Sequence, residues 1–151
     1  MKNTFLIILL IFTLFGCNKR VDNSNKNIIT SDITNFWEAY DKIISTQDSI
    51  LQYKYLDSLY FQKGTVGLER IRQVRNYTPE GYINSINNYP KFWASIRKNT
   101  LQVEKIASEL ESGVEKLKPL YPELKPAKIY FSIGSFRTPG TTILGQKKVF
   151  R

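Results

Sequence analysis

The chain has 151 residues, 42% hydrophobic and 13% aromatic, enough for one domain with a real core and too few for two. Basic residues outnumber acidic ones 22 to 13, a net charge of +9 that suits an anionic partner or a solvated basic surface. With no histidine and a single cysteine, the chain lacks the parts for Ser-His-Asp or Cys-His nucleophile systems, an ordinary protein zinc site or an intramolecular disulfide.

Met1-Lys2-Asn3 precedes an apolar run from Thr4 to Phe15 that is too short for a comfortable transmembrane span and reads as a secretory signal. Leu14-Phe15-Gly16-Cys17, followed by polar Asn18, resembles the lipobox of bacterial lipoproteins. Phe15 is larger than is usual at its position. The resemblance implies cleavage between Gly16 and Cys17, lipidation of Cys17, and a membrane-anchored lipoprotein of the cell envelope on the periplasmic side of the outer membrane. Loss of residues 1–16 removes only Lys2 among the charged residues, leaving 21 basic against 13 acidic residues, a net +8. Beside a membrane that surplus either touches anionic head groups or stays solvated. Export removes nucleic acid as a partner, and no protein partner is legible.

Asn18 to Thr30 is Asn-rich, without apolar period, and reads as a tether from lipid to domain. Ser31 is a plausible cap for a first helix with Ile33, Phe36, Trp37, Tyr40, Ile43 and Ile44 on one face. A second helix, from near Thr46 or Asp48 to a stop at Gly64, carries a wide apolar face through Leu51, Leu56 and Tyr60 and is expected to be central. Between Thr65 and Asn76, Leu68, Ile71 and Val74 face one way. Arg70, Arg72 and Arg75 turn mostly elsewhere, as a solvated face or a phosphate reader.

Thr78-Pro79-Glu80 supplies a cap, a proline at the first helical position and an acid in the first turn. The short helix it starts, through Tyr82, Ile83, Ile86 and Tyr89, ends before Pro90. From Pro90 or Lys91, Phe92, Ile96, Val103, Ala107, Leu110, Val114 and Leu117 recur at helical steps, predicting one helix of about seven turns with Gly113 as a weak point. The aromatic density of Trp37, Phe92, Trp93 and the tyrosines reads as core, with a ligand groove as the alternative. Pro119, Pro122 and Pro126 end the helical pattern, and Lys128 to Gly134 gives a β-branched and aromatic run that fits a mostly buried strand. A turn-rich loop follows from Gly134 to Gly140.

The available chemistry is narrow. Glu104, Glu109, Glu111 and Glu115 recur along a helix beside Lys105, Lys116 and Lys118, the pattern of surface ion pairs rather than of paired catalytic acids. Gly134 to Gly140 fails as a phosphate loop, because five residues separate the glycines where the P-loop has four and no lysine follows. Ser132 and Ser135 lack the Gly-x-Ser-x-Gly order of a nucleophile elbow.

Tyr121-Pro122-Glu123-Leu124, then Ile129-Tyr130-Phe131-Ser132-Ile133-Gly134-Ser135-Phe136, then Gly140-Thr141-Thr142, after a helical half, resembles the front part of a family of predicted zinc-dependent bacterial proteases, lipoproteins of gluzincin-like type. The resemblance covers residues 31 to 144 and includes no catalytic residue. It implies zinc in intact relatives, held by a later His-Glu-x-x-His helix, and a substrate-facing edge to which Ile133, Gly134, Gly140, Thr141 and Thr142 would belong. This chain ends before any zinc helix, so it reads as a truncated or split gene product, with no catalytic residue, no metal and no cofactor of its own. The alternative is a complete small envelope lipoprotein acting as a helical binding or scaffolding module.

The expected fold is mainly α with a short C-terminal β-hairpin (α+β), a helical bundle leading into an incomplete sheet. Its parts are a signal peptide at 1–16, a lipidated cysteine and tether at 17–30, a helical region at 31–118, and a strand region at 119–151.

Overall fold

The computed structural model describes residues 26–136 and 140–143. Gly16, Cys17, the signal and most of the tether therefore lie outside the described residues, as do 144–151. The chain is mainly helical with a small sheet. In order come β1 (Ile28–Ile29), α1 (Ser31–Ile44), α2 (Ser49–Tyr55), a π-helical turn (Leu56–Phe61), α3 (Val66–Arg75), α4 (Pro79–Asn88), α5 (Pro90–Thr100), α6 (Val103–Leu117) and β2 (Ile129–Tyr130). No helix among the described residues is long and apolar enough to cross a membrane.

The core is aromatic. On α1, Ile33, Phe36, Trp37, Tyr40 and Ile43 are all buried, as their 3.6-residue spacing requires. Phe36 is the hub, its ring centroid 5.2 Å from Trp37, 5.3 Å from Tyr60 and 5.1 Å from Trp93. The first two pairs meet edge to face, an arrangement favoured by the ring quadrupoles. Buried indole N–H groups are satisfied: Trp37 donates to Thr100 Oγ1 and Trp93 to the carbonyl of Ser85, both at 2.9 Å. Trp37, Trp93, Tyr40, Tyr60 and Tyr82 are thus core packing, while Phe92 is exposed at its edge.

Local side-chain capping explains the starts of α2, α3 and α4. Asp48 accepts from the amides of Ile50 and Leu51, and the Thr65 and Thr78 hydroxyls accept from Leu68 and Gly81. Ser31, expected as a cap, is instead the first helical residue of α1, with Thr30 before it. The second helix is central only in its latter half. There the ladder widens, with Gln62 N–H bonding Asp57 O at 2.8 Å, five residues back. The widened turn lets Leu56, Tyr60 and Phe61 all face inward, while Ile50 in the first turn is 77% exposed.

The single long helix expected from Pro90 to Leu117 is two. The Thr100 hydroxyl bonds back to the carbonyls of Ile96 and Arg97 at 3.1 Å, and Gln102 N–H closes a tighter turn onto Asn99 O at 3.2 Å. The chain breaks at Leu101–Gln102, and α6 sets off separately toward β1. Arg97, on α5, forks onto Asp41 of α1 at 2.5 and 2.7 Å, and this hydrogen bonding holds the Asp41 carboxyl below the usual carboxylate range.

The sheet differs from the expected hairpin. Among the described residues β2 pairs in parallel with β1, Ile28 opposite Ile129 and Ile29 opposite Tyr130. Ile129 N–H bonds Asn27 O, and Phe131 N–H bonds Ile29 O, both at 2.8 Å. Ile28 and Ile29 are buried, so the last residues assigned to the tether belong to the domain. The physical reason is burial: covering two isoleucines and satisfying their backbone against the 129–131 segment outweighs leaving them in a solvated linker. Thr30 Oγ1 then donates to Glu104 Oε1, fastening the end of β1 to the first turn of α6.

Candidate functional site

Behind β2 lies a side-chain clamp. Tyr60 and Tyr82, both fully buried, aim their hydroxyls at one residue of the following segment. Each donates to the carbonyl of Ile133, at 2.6 and 2.8 Å, and Tyr60 also accepts from Ile133 N–H at 3.0 Å. Burial pushes both phenols above their usual range, Tyr60 most strongly. The segment is therefore held by the helical core as well as by β1. Next to it, Gly134 lies against the Tyr77 ring, where an added Cβ would come within 2.8 Å of that ring.

A second buried device sets the start of α3. Asp32 on α1, 1% exposed, accepts from the backbone N–H of Thr65 at 2.8 Å and from its hydroxyl at 2.6 Å. The carboxylate satisfies one of the donors that a helix start leaves over, where negative charge is favoured. The Thr65 hydroxyl in turn accepts from Leu68 N–H. On α3, Gly67 meets the ring of Tyr130 so closely that an added Cβ would fall 2.1 Å from it. Only glycine lets helix and strand approach this far.

Between α3, the 125–132 segment and residues 141–143 runs a groove of about 820 Å³. Its apolar lining includes Val66, Ile71, Pro126, Ile129 and Ile143. Arg70, Lys125 and Lys128 bring three cations to it, and Ser132, Thr141 and Thr142 bring three hydroxyls. No acidic residue is among the described lining residues. Arg75 donates to Thr141 Oγ1 at 3.0 Å, orienting that hydroxyl from α3. Such a surface suits an elongated ligand with an apolar body and carboxylate or phosphate groups.

The expected edge residues divide. Thr141 and Thr142 line the groove, and Gly140 lies exposed beside them. Ile133 is turned the other way, buried with its backbone groups taken up by the tyrosines, and Gly134 is packed on Tyr77. Neither is an open edge.

The three arginines of α3 also separate. Arg70 lines the groove, Arg75 reaches Thr141, and the Arg72 guanidinium lies 3.4 Å over the Phe61 ring. Two of the four acids of α6 meet lysines, Glu115 with Lys118 at 2.6 Å and Glu109 with Lys105 at 4.0 Å, while Glu104 accepts from Thr30. Sequence reasoning missed Lys125 and Lys128, whose signal was Lys125-Pro126-Ala127-Lys128 directly before the strand. It also missed the buried Asp32, for which no local signal exists.

No group of three or more His, Cys, Asp or Glu side chains placed to hold a metal occurs among the described residues, and the chain has no histidine. The donor set does not fit the zinc that the protease resemblance implies for relatives. Comparison of the chain with family models, with curated proteins and with solved structures finds no match.

Proposed function

We propose that this chain is a lipid-anchored cell-envelope protein whose helical domain is a binding module, taking an elongated anionic ligand in the groove between α3 and β2. The observation that carries the reading is the convergence of Arg70, Lys125 and Lys128 with three hydroxyls on an apolar groove without a described acid. Three cations in one site raise the local concentration of anions and make binding salt-sensitive. The apolar lining contributes affinity to whatever body joins the charges. The anchor rests on Leu14-Phe15-Gly16-Cys17, and we assign the chain no catalytic step of its own.

A titration of the full chain in detergent with an extended acidic peptide, such as a hexamer of glutamate, tests the reading. Arg70→Glu and Lys125→Glu should each weaken binding about tenfold or more, and added salt should weaken the unsubstituted chain in parallel. No binding at millimolar peptide, or binding indifferent to both substitutions, sinks it. For the anchor, Cys17→Ser should move the protein out of the membrane fraction.

A second reading, the non-catalytic front part of a zinc-protease-like protein, is favoured by one observation: Thr141 and Thr142, from the loop that the resemblance sets beside substrate, line the groove. A His-Glu-x-x-His segment encoded just downstream of Arg151 would support it, and its absence in all three frames would remove it.

A further inference from the structure

The apolar stripe of α6 is covered only at its beginning. Val103 and Ala107 are buried, but Ile106 and Leu117 on the same face are each 47% exposed, and Leu110 is exposed as well. The stripe continues past the helix end. Leu120 N–H and Tyr121 N–H both bond back to Leu117 O, at 3.0 and 2.8 Å, and these two side chains are 75% and 67% exposed. Counting Leu124, six large apolar side chains are thus exposed between Ile106 and Leu124. A run of this kind on a soluble face marks an interaction surface.

We propose that this face lies on the surface of the membrane to which Cys17 tethers the chain, a proposal that rests on the lipid-anchor reading above. Three observations favour a lipid surface over a protein. First, the tether enters beside this helix: β1 is fastened to the first turn of α6 through Thr30 and Glu104. The chain from Cys17 to Ile28 reaches about 40 Å at most, and the helix, 15 residues long, spans about 22 Å, so the whole stripe is within reach of the anchored end. Second, the charge at the C-terminal end of the stripe suits anionic head groups, since residues 116–128 carry Lys116, Lys118, Lys125 and Lys128 against a single acid, Glu123. Third, the exposed side chains include Tyr121, a residue whose apolar ring and polar tip suit the interface. By their spacing the acids Glu104, Glu109, Glu111 and Glu115 lie roughly 90–130° around the helix from the centre of the stripe. An anchored acyl group plus an interfacial helix is the two-signal arrangement that stable membrane attachment requires.

The single cysteine makes the test clean, because lipidation blocks Cys17. The full lipidated chain, carrying one new cysteine at a time, is labelled with an environment-sensitive fluorophore and reconstituted into vesicles of phosphatidylethanolamine and phosphatidylglycerol. Leu110→Cys, Leu117→Cys and Leu120→Cys sample the stripe, and Glu111→Cys and Glu115→Cys sample the acidic flank. With the stripe buried 5–10 Å into the head-group boundary, quenchers attached to the acyl chains should quench the stripe labels about fivefold more strongly than the controls. Equal quenching at both faces, in chains that still float with the vesicles, overturns the proposal and leaves the anchor standing. Stripe labels shielded from water yet untouched by the lipid quenchers overturn it in favour of a protein partner or a second copy of this chain. Chains that fail to float overturn the anchor reading, and the proposal with it.

Discussion

Replacing Tyr60 by phenylalanine separates the two roles of the tyrosine clamp. The Tyr60 hydroxyl is both donor to Ile133 O and acceptor for Ile133 N–H, in a site with no exposure at Tyr60. Tyr60→Phe therefore removes two hydrogen bonds and strands the Ile133 amide, while the carbonyl keeps its bond from Tyr82. A lost bond costs about 0.5–1.5 kcal/mol and a stranded buried donor about 1–3 kcal/mol, so the expected loss is about 2–4 kcal/mol. Tyr82→Phe removes one of two donors to an acceptor that stays satisfied, and should cost only about 0.5–1.5 kcal/mol. In the double variant the carbonyl is stranded too, so its loss should exceed the sum of the single losses. Urea unfolding followed by far-ultraviolet circular dichroism measures all three against a typical domain stability of about 5–15 kcal/mol. If Tyr82→Phe proves as costly as Tyr60→Phe, or the double variant is additive, the clamp does not work as described.

Further outcomes follow from the same geometry. Burial raises the phenols of Tyr60 and Tyr82, so the folded state holds protons that the unfolded chain releases near pH 10; stability should be level below that pH and fall above it. Absorbance at 295 nm should then register these two phenolates only as the chain unfolds, and early ionisation of all tyrosines would contradict the burial. Gly67→Ala drives a methyl group into the Tyr130 ring and should cost about 1–3 kcal/mol, lowering the melting temperature and weakening groove binding together. Asp32→Ala leaves the Thr65 amide without its carboxylate acceptor and should destabilise by about 3 kcal/mol, whereas an exposed carboxylate such as Glu80 should be replaceable within about 0.5 kcal/mol.

The helices were legible because each rests on short-range information. The 3.6-residue spacing of Ile33, Phe36, Trp37, Tyr40 and Ile43 names the buried face of α1, and Thr78-Pro79-Glu80 names the start of α4. The break at Leu101–Gln102 was hidden because the apolar positions stay in phase across it, from Ile96 to Val103; only the bonds of Thr100 end the helix. The π-helical turn was hidden for a related reason, since Leu56, Tyr60 and Phe61 fit a wide ordinary helical face equally well. β1 carries no local signal at all, being two isoleucines in an Asn-rich run whose partner lies about 100 residues away, a pairing no local pattern encodes. The groove was half legible: Arg70 and Thr141–Thr142 drew notice for other reasons, but their meeting with Lys125 and Lys128 depends on Gly67 admitting Tyr130.

Two paired residues per strand make a sheet that is marginal by itself, and closing it orders the whole helical region between the strands. The clamp on Ile133 supplies what the sheet lacks, tying the strand segment to Tyr60 and Tyr82 instead of to further strands. Weakening the clamp should therefore act locally before it acts globally. In Tyr60→Phe, the amides of Ile129 and Phe131, which bond Asn27 and Ile29, should exchange with solvent at least tenfold faster, together with that of Ile133. Amides inside α1 and α4, whose side chains keep their aromatic packing, should exchange at the rate set by global unfolding, accelerating only as far as the lost global stability requires. Because β1 leads into Thr30 and β2 walls the groove, the same opening would loosen the groove and release α6 from its fastening at Thr30. Strand amides that exchange at the same rate as those of α1 and α4 would instead mean that the strands and the helical core open as one unit.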